Sequence, residues 1–363
     1  VRGPPPGAGP MRLEPRIRLY GKLRAITDWP PMSHKVLLEV FKEICPPDRW
    51  GHFIKRRDID FAYAIPGVAR YRVNLFYQEN GCGGVMRVVP DSIIPYHQLM
   101  LPKMVERFAH LKKGLVLMTG ATGSGKSTTM ASIIDLINRA YTKHIVTIED
   151  PLEFIHQSKS SIISHREVGM QSSSFSNALR SAIRQDADVI LVGEMRDAET
   201  ISLALQAAEM GVLVFSSLHS NNAAAAVDRI VGVYPTEQHG LIRSILAETL
   251  QGVIAQILVP LKEGEGRRAA VEVLRRTPAL PNVIRDGQMS RIYSLMSGED
   301  LLTLDDTLCK FVEEDVIDVA LARDKCRDKE RTFKRLNRIL AKKAEEERER
   351  EREREEQEQA AMG

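Results

Sequence analysis

Apolar residues in the second part of the chain fall into short unbroken runs at 114–119, 144–148, 188–192 and 212–218. Runs of this length without polar alternation read as strands buried on both faces. The stretches between them carry apolar residues at helical spacing: 126–140, where Met130, Ile133, Ile134 and Ile137 share a face, then 175–185 and 198–209. Strand and helix in alternation predict a largely parallel sheet with helices on both sides. Earlier in the chain the period changes. Arg70 to Tyr77 alternates polar with apolar, as a half-buried antiparallel strand does, and 58–63 and 84–89 are strand-like beside it. Pro66-Gly67 and Asn80-Gly81 mark turns between them, so a small α+β domain is expected. From Gln238 onward the pattern reads as several helices extending to about Asn337.

These patterns give an α/β protein preceded by a smaller α+β domain. The expected organisation is a disordered Pro/Gly-rich segment at 1–15, the α+β domain at 16–90, a linker at 91–102, the α/β domain at 103–274, a helical region at 275–340 and a charged tail at 341–363. In the tail, alternating Glu and Arg place opposite charges at i,i+3 but like charges at i,i+4, so a solvated, frayed helix or disorder is expected. With 363 residues, 43% of them hydrophobic, the chain is long enough for two cored domains. Its 51 Lys and Arg against 48 Asp and Glu leave a net charge of +3, and no single-signed basic face indicates nucleic acid. No apolar run approaches the ~18 residues of a membrane span, and the opening VRGPPPGAGP lacks the apolar stretch of a signal peptide. Cys45, Cys82, Cys309 and Cys326 are scattered without a C-x-x-C pair, which fits buried thiols in a reducing compartment rather than a zinc site or disulfide framework.

The chemistry concentrates at 120–128, GATGSGKST. Gly120-x-x-x-x-Gly125-Lys126-Ser127 is a P-loop pattern, in which backbone amides wrap phosphates, the Lys ammonium reaches the β- and γ-phosphates and the Ser hydroxyl ligates Mg²⁺. Gly120, Ala121, Thr122, Gly123, Ser124, Gly125, Lys126, Ser127 and Thr128 are therefore the candidate nucleotide-binding residues. A strand-like run before the loop and a helical pattern after it supply the context that the motif requires, with the helix N-terminus at the phosphates. Phosphoryl transfer further needs carboxylates and polar groups at neighbouring strand ends. Three segments provide them. Thr147-Ile148-Glu149-Asp150-Pro151-Leu152-Glu153 leaves three carboxylates after a strand, the alternative being a solvated acidic turn. Asp188 to Asp197 delivers Glu194 just past four apolar residues, a Walker-B-like arrangement for the Mg²⁺ water shell, the alternative being a helix-capping pair at 194 and 197. Val212 to Ser220 ends a buried strand at His219, positioned as a γ-phosphate sensor or as a structural histidine.

Together these segments resemble the secretion-type ATPases, and most closely the type IV pilus retraction ATPase family (PilT- and PilU-like). The resemblance rests on GATGSGKST at 120–128, TIEDPLEFIH at 147–156, REVG at 166–169, ALRSAIRQDADVILVGEMRD at 178–197 and LVFSSLHSNNAAAAVDRIV at 213–231, and runs from about Arg16 to Asn337. It implies a RecA-like P-loop ATPase domain behind a PAS-like N-terminal domain, with ATP and Mg²⁺ as cofactors. It also implies catalytic roles for Glu153, Glu194 and His219, with Mg²⁺ held by Ser127 and, through water, by Glu194. Arg72 and Arg87 match positions expected to reach a neighbouring subunit's nucleotide. Family members are cytoplasmic homohexamers at the cytoplasmic face of the inner membrane, working on a membrane platform protein, in some cases beside a paralogous pilus ATPase, without membrane insertion or nucleic acid. The four-cysteine insertion usual in extension ATPases is missing, which favours retraction. The family's AIRNLIRE-type motif stands here as Ala279 to Asp286, with Pro281 where an Arg is expected, and that departure favours an accessory paralogue as the second reading. Type II secretion, DNA uptake, a nucleic-acid-translocating RecA-like motor and a non-hydrolysing scaffold are the remaining alternatives.

Overall fold

A computed structural model describes residues 14–19, 22–79, 81–89, 92–263, 266–295 and 301–362. The segment expected to be disordered at 1–15 lies, up to residue 13, outside the described residues, as do Asn80 of the second turn signal, Pro90 at the end of the expected α+β domain and Asp91 at the start of the expected linker. The chain divides into two compact units: residues 1–92 with 151–155, and residues 93–150 with 156–363.

In the first unit β1 (Arg16–Leu19) and β2 (Lys22–Ala25) pair antiparallel, α1 (His34–Ile44) and α2 (Pro47–Arg56) follow, and β3 (Asp58–Ile65), β4 (Ala69–Gln78) and β5 (Gly81–Val89) form a three-stranded antiparallel sheet. Alternation in β4 has the expected consequence. Val73 and Leu75 are fully buried and pack with Phe41 and Phe53 of the helices, while Arg72 and Asn74 face the other way. The register sets Arg72 directly opposite Arg87.

The second unit is built on an eight-stranded sheet. A helical turn α3 (Lys103–Glu106) precedes β6 (Gly114–Thr119), α4 (Lys126–Ala140), β7 (His144–Glu149), β8 (Ile162–Glu167), α5 (Phe175–Ile183), β9 (Val189–Val192), α6 (Ala198–Glu209), β10 (Leu213–Leu218), α7 (Ala223–Gly232) and α8 (His239–Thr249). The chain then makes β11 (Leu250–Pro260), β12 (Arg267–Arg275), α9 (Leu280–Arg285), the turn α10 (Ile292–Leu295), β13 (Leu301–Leu302), α11 (Leu304–Glu313), α12 (Val319–Lys325) and α13 (Lys329–Met362). Sheet order is β13-β12-β11-β6-β10-β9-β7-β8, parallel from β11 to β8 and antiparallel at the β11–β12–β13 edge. Successive residues of β6 serve opposite faces: Leu115 and Leu117 pack with α5 to α8, Val116 and Met118 with Ile133, Ile134 and Ile137 of α4. This is the doubly covered parallel sheet expected from the apolar runs.

One expectation needs correction. Residues 250–275 are not part of a helical continuation from Gln238: after α8 the chain becomes the β11–β12 hairpin. Val253, Ile254 and Val259 are fully buried, and β-branched residues covered on both faces fit a central strand better than a helix. The strand β8 at 162–167 has no counterpart among the expected elements, and only its last two residues fall in the REVG motif at 166–169. The tail, expected as a frayed helix or disorder, continues α13 to Met362, with a Lys342–Glu346 pair at 3.6 Å near its start.

Two local details bear on the C-terminal region. Pro281 falls in the first turn of α9, where its missing N–H would have had no intrahelical partner, so the substitution leaves the helix intact. All four cysteines are buried and free, with Cys309 and Cys326 inside the core that joins α11, α12 and α13 to the sheet edge.

Candidate nucleotide-binding site

The loop between β6 and α4 has the backbone that its glycines permit. Gly120, Gly123 and Gly125 take φ values of 147°, 79° and 86°. A Cβ on Gly120 would come within 2.3 Å of the Gln256 carbonyl oxygen, so the loop closes only without one. Gly125 occupies the N-cap position of α4 and brings no side chain to it, whereas α5, α6 and α7 are capped by Ser174, Asp197 and Asn222. The first-turn amides of α4 are thereby left for an anion. Lys126 is nearly buried, and its ammonium donates to the carbonyls of Gly120 at 2.8 Å and Ala121 at 3.0 Å, which holds the charge over the loop. Ser124 Oγ is buried inside the loop without a hydrogen-bond partner among the described residues. Glycine-shaped backbone, uncapped helix start, inward lysine and orphaned hydroxyl fit a polyphosphate.

Glu194 follows β9 and is mostly buried. Its carboxylate accepts from Arg196 at 2.7 Å and lies 3.2 Å from His219 Nε2. Burial works against the charge of Glu194, but the Arg196 hydrogen bond, backed by the charges of Arg196, His219 and Lys126, outweighs it and holds the carboxyl below the ordinary range. Glu194 is thus kept as a carboxylate, the form that can order a metal's water shell. The capping alternative applies to its neighbour: Asp197 accepts from Thr200 N at 2.9 Å and starts α6. Gly193 is tied to Ser217 through a 2.6 Å bond from the Ser217 hydroxyl, fixing the β9 and β10 ends together.

The structure therefore brings the loop 120–128, Glu194 and His219 into one neighbourhood of the second unit. Glu153 is exposed between buried Leu152 and Phe154, in the 151–155 stretch that groups with the first unit, where Arg72 and Arg87 also reside.

Two supports were not anticipated from sequence. The Thr119 hydroxyl donates to Ser220 O at 2.7 Å and accepts from Ser220 N at 2.9 Å, latching the β6 end to the turn after His219. Gln256 on β11, 2% exposed, donates to Ser124 O at 2.7 Å and accepts from the Thr129 hydroxyl at 2.9 Å, clamping both the loop and its helix. A single amide within the apolar run Gly252 to Val259 is the signal for it, since a buried amide must find partners. Gln256→Leu is expected to destabilise the chain by about 2–4 kcal/mol, because the Ser124 carbonyl in the loop and the Thr129 hydroxyl on α4 are both orphaned while volume is nearly kept. Urea unfolding would read this, and an unchanged midpoint would mean that the clamp is dispensable.

An open parallel sheet with a phosphate-type loop at the carboxyl ends of its strands, flanked by a charged Glu194 and by His219, defines a P-loop nucleotide-binding protein of RecA-like fold. The family model for type II/IV secretion system proteins matches residues 85–349, and the chain belongs to that family. It is 44% identical over 318 residues to PilT, a type IV pilus retraction ATPase of Pseudomonas aeruginosa, covering 87% of this chain and 92% of that protein. It is 38% identical to the type IV pilus ATPase PilU of the same organism over 78% of this chain and 74% of PilU. The crystal structure of the pilus retraction motor PilT with bound ADP superposes with a TM-score of 0.82 at 38% identity, covering 90% of this chain and 95% of that one.

Proposed function

We propose that this chain is an ATP-hydrolysing motor that powers type IV pilus retraction, working as a homohexamer at the cytoplasmic face of the inner membrane on a platform protein. The observation that carries the reading is the loop with its lysine turned inward beside a Glu194 held ionised between Arg196 and His219. Similarity to PilT across nearly the whole of both chains gives the cluster its task.

In this reading residues 120–125 cradle the phosphates and Lys126 neutralises them. Ser127, with Glu194 acting through water, would hold Mg²⁺, which supplies charge neutralisation at the phosphates. Glu153 orients or deprotonates the attacking water, and His219 reports the phosphate state through its contact with Glu194. Arg72 and Arg87 complete the site of a neighbouring protomer. Their register is the support. Two arginines directly opposite on adjacent strands repel, with Asp60 only 3.8 Å from Arg72 as partial compensation, and an anion between them would relieve the cost. An accessory, PilU-like role is the second reading, favoured by the missing Arg at 281 and disfavoured by the intact α9.

Purified protein should hydrolyse ATP, lose the activity in EDTA and recover it with Mg²⁺. Expression in a strain lacking its retraction motor should restore twitching, and the Glu153→Gln variant should not. Rescue confined to a strain lacking only the accessory ATPase would assign the accessory role, and no rescue in either would reject the function.

A further inference from the structure

The turn that carries His219 is fastened to the C-terminal helices by charged side chains that the site itself does not use. Glu272 on β12 is 1% exposed. One of its carboxylate oxygens accepts from Ala223 N at 2.8 Å, at the first residue of α7, and the other accepts from Arg327 Nη1. Arg327 Nη2 donates to the Asn221 carbonyl, so one guanidinium bridges the buried carboxylate and the backbone two residues after His219. Arg327 is in turn set in place by α11. A capping box between Thr303 and Asp306 starts that helix, and Asp305 in its first turn accepts the amides of Arg327 and Asp328, each at 2.8 Å. Tyr293 lies against both Arg327 and the Ala224 backbone. Hydrogen bonds from Thr119 to Ser220 and from Arg327 to Asn221, joined by the Ser220–Asn221 backbone, thus link the phosphate loop to the segment that enters α13.

This arrangement is poorly explained as a staple for stability alone. Buried ion pairs give little net stability over an apolar pair of the same size. Burial pushes the Glu272 carboxyl upward, and Arg327 is the chief force opposing that shift. Fixed direction is what the pair does supply: a planar fork with two donors sets the path of residues 221–223.

We infer that Glu272 and Arg327 are positioning residues that hold the His219 turn in register with the phosphate loop and couple it to the C-terminal helices. The inference deepens the ATPase reading and rests on it for the role of His219. The coupling would let a load on the C-terminal helices alter the phosphate sensor without touching the nucleotide.

The test uses the full chain with Arg327→Gln, Glu272→Gln and the conservative Arg327→Lys. Hydrogen–deuterium exchange of the peptide spanning 216–226 is read without nucleotide, alongside ADP affinity and steady-state ATP hydrolysis. Arg327→Gln should raise exchange at 221–225 by about tenfold or more while β6 stays protected. ADP affinity should change by no more than about twofold and kcat should fall by ~10–100-fold, since misplacing a catalytic group by an ångström has effects of that size. Arg327→Lys should recover part of kcat by keeping the cation beside Glu272. A merely structural role would lower the melting temperature and leave kcat of the folded fraction unchanged. Unaltered exchange at 221–225 in folded Arg327→Gln and Glu272→Gln proteins would overturn the inference. If Arg327→Gln does not fold, Arg327→Lys and Glu272→Gln decide by the same readouts. A wild-type protein without ATPase activity would reject the functional reading separately, because the exchange result stands without hydrolysis.

Discussion

Lys126→Ala is expected to abolish ATP turnover, with a loss of at least ~10³-fold, the scale seen when a pre-organised charge is removed from a phosphoryl-transfer site. Lys126 is the one cation in 120–128. Its ammonium sits on the Gly120 and Ala121 carbonyls at 2.8 and 3.0 Å, pre-aimed by the loop that would receive the phosphates. The variant loses more than a binding contact. Glu194 also feels the Lys126 charge, so its removal takes away one of the cations that face this carboxylate as well as the one that faces the phosphates. Lys126→Arg should not restore activity, because a planar fork cannot replace a compact ammonium between two carbonyls. Phosphate release under saturating ATP measures the effect, and ADP titration separates binding from turnover. A rate within tenfold of wild type would show that the loop is not the catalytic site.

What the sequence made legible here is what local chemistry dictates. The P-loop is readable because its glycines, lysine and flanking strand and helix lie within a few residues of each other, and each has one physical reason for its place. Glu194 and His219 follow from the rule that parallel strands deliver their chemistry at their carboxyl ends. The supports are different in kind. Gln256 reaches Ser124 across 132 positions of chain, and Thr119 reaches Ser220 across 101, so neither partner is marked by its own neighbours. Arg196 lies within the Walker-B-like segment, yet only the fold shows it sharing the Glu194 carboxylate with His219. The β11–β12 hairpin was hidden for a related reason. Leu250 to Pro260 is an apolar run whose periodicity fits a buried helix or a buried strand, and its pairing with β6 brings together residues more than a hundred positions apart. Glu153 marks where the strand-end rule stops helping. It lies four residues beyond Glu149 at the end of β7, but the 151–155 stretch groups with the first unit.

Mixing Lys126→Ala protein with Arg72→Ala protein, each inactive alone, is expected to restore ATP hydrolysis. Arg72 stands on β4 opposite Arg87 on β5, in the unit that does not contain the phosphate loop. Like charges in register destabilise a sheet by a few tenths of a kcal/mol, an arrangement that makes sense if an anion from outside the sheet joins them. In a head-to-tail ring each interface joins two different surfaces, so a site can take its loop from one chain and its arginines from the next. A chain carrying Arg72→Ala keeps an intact loop, and a Lys126→Ala neighbour still offers Arg72. With random assembly of equal amounts, about a quarter of interfaces in such a head-to-tail ring combine the two intact halves. Activity should therefore approach that fraction of wild type if sites fire independently, and fall below it if the ring fires in concert. Turnover per chain should also rise with protein concentration as rings form. The measurement is ATPase rate against mixing ratio, with subunit exchange followed by fluorescence transfer between labelled chains. Exchange without any rescue would place the arginines in cis or reduce them to a solvated face of the sheet, and would remove the neighbouring protomer from the catalytic site.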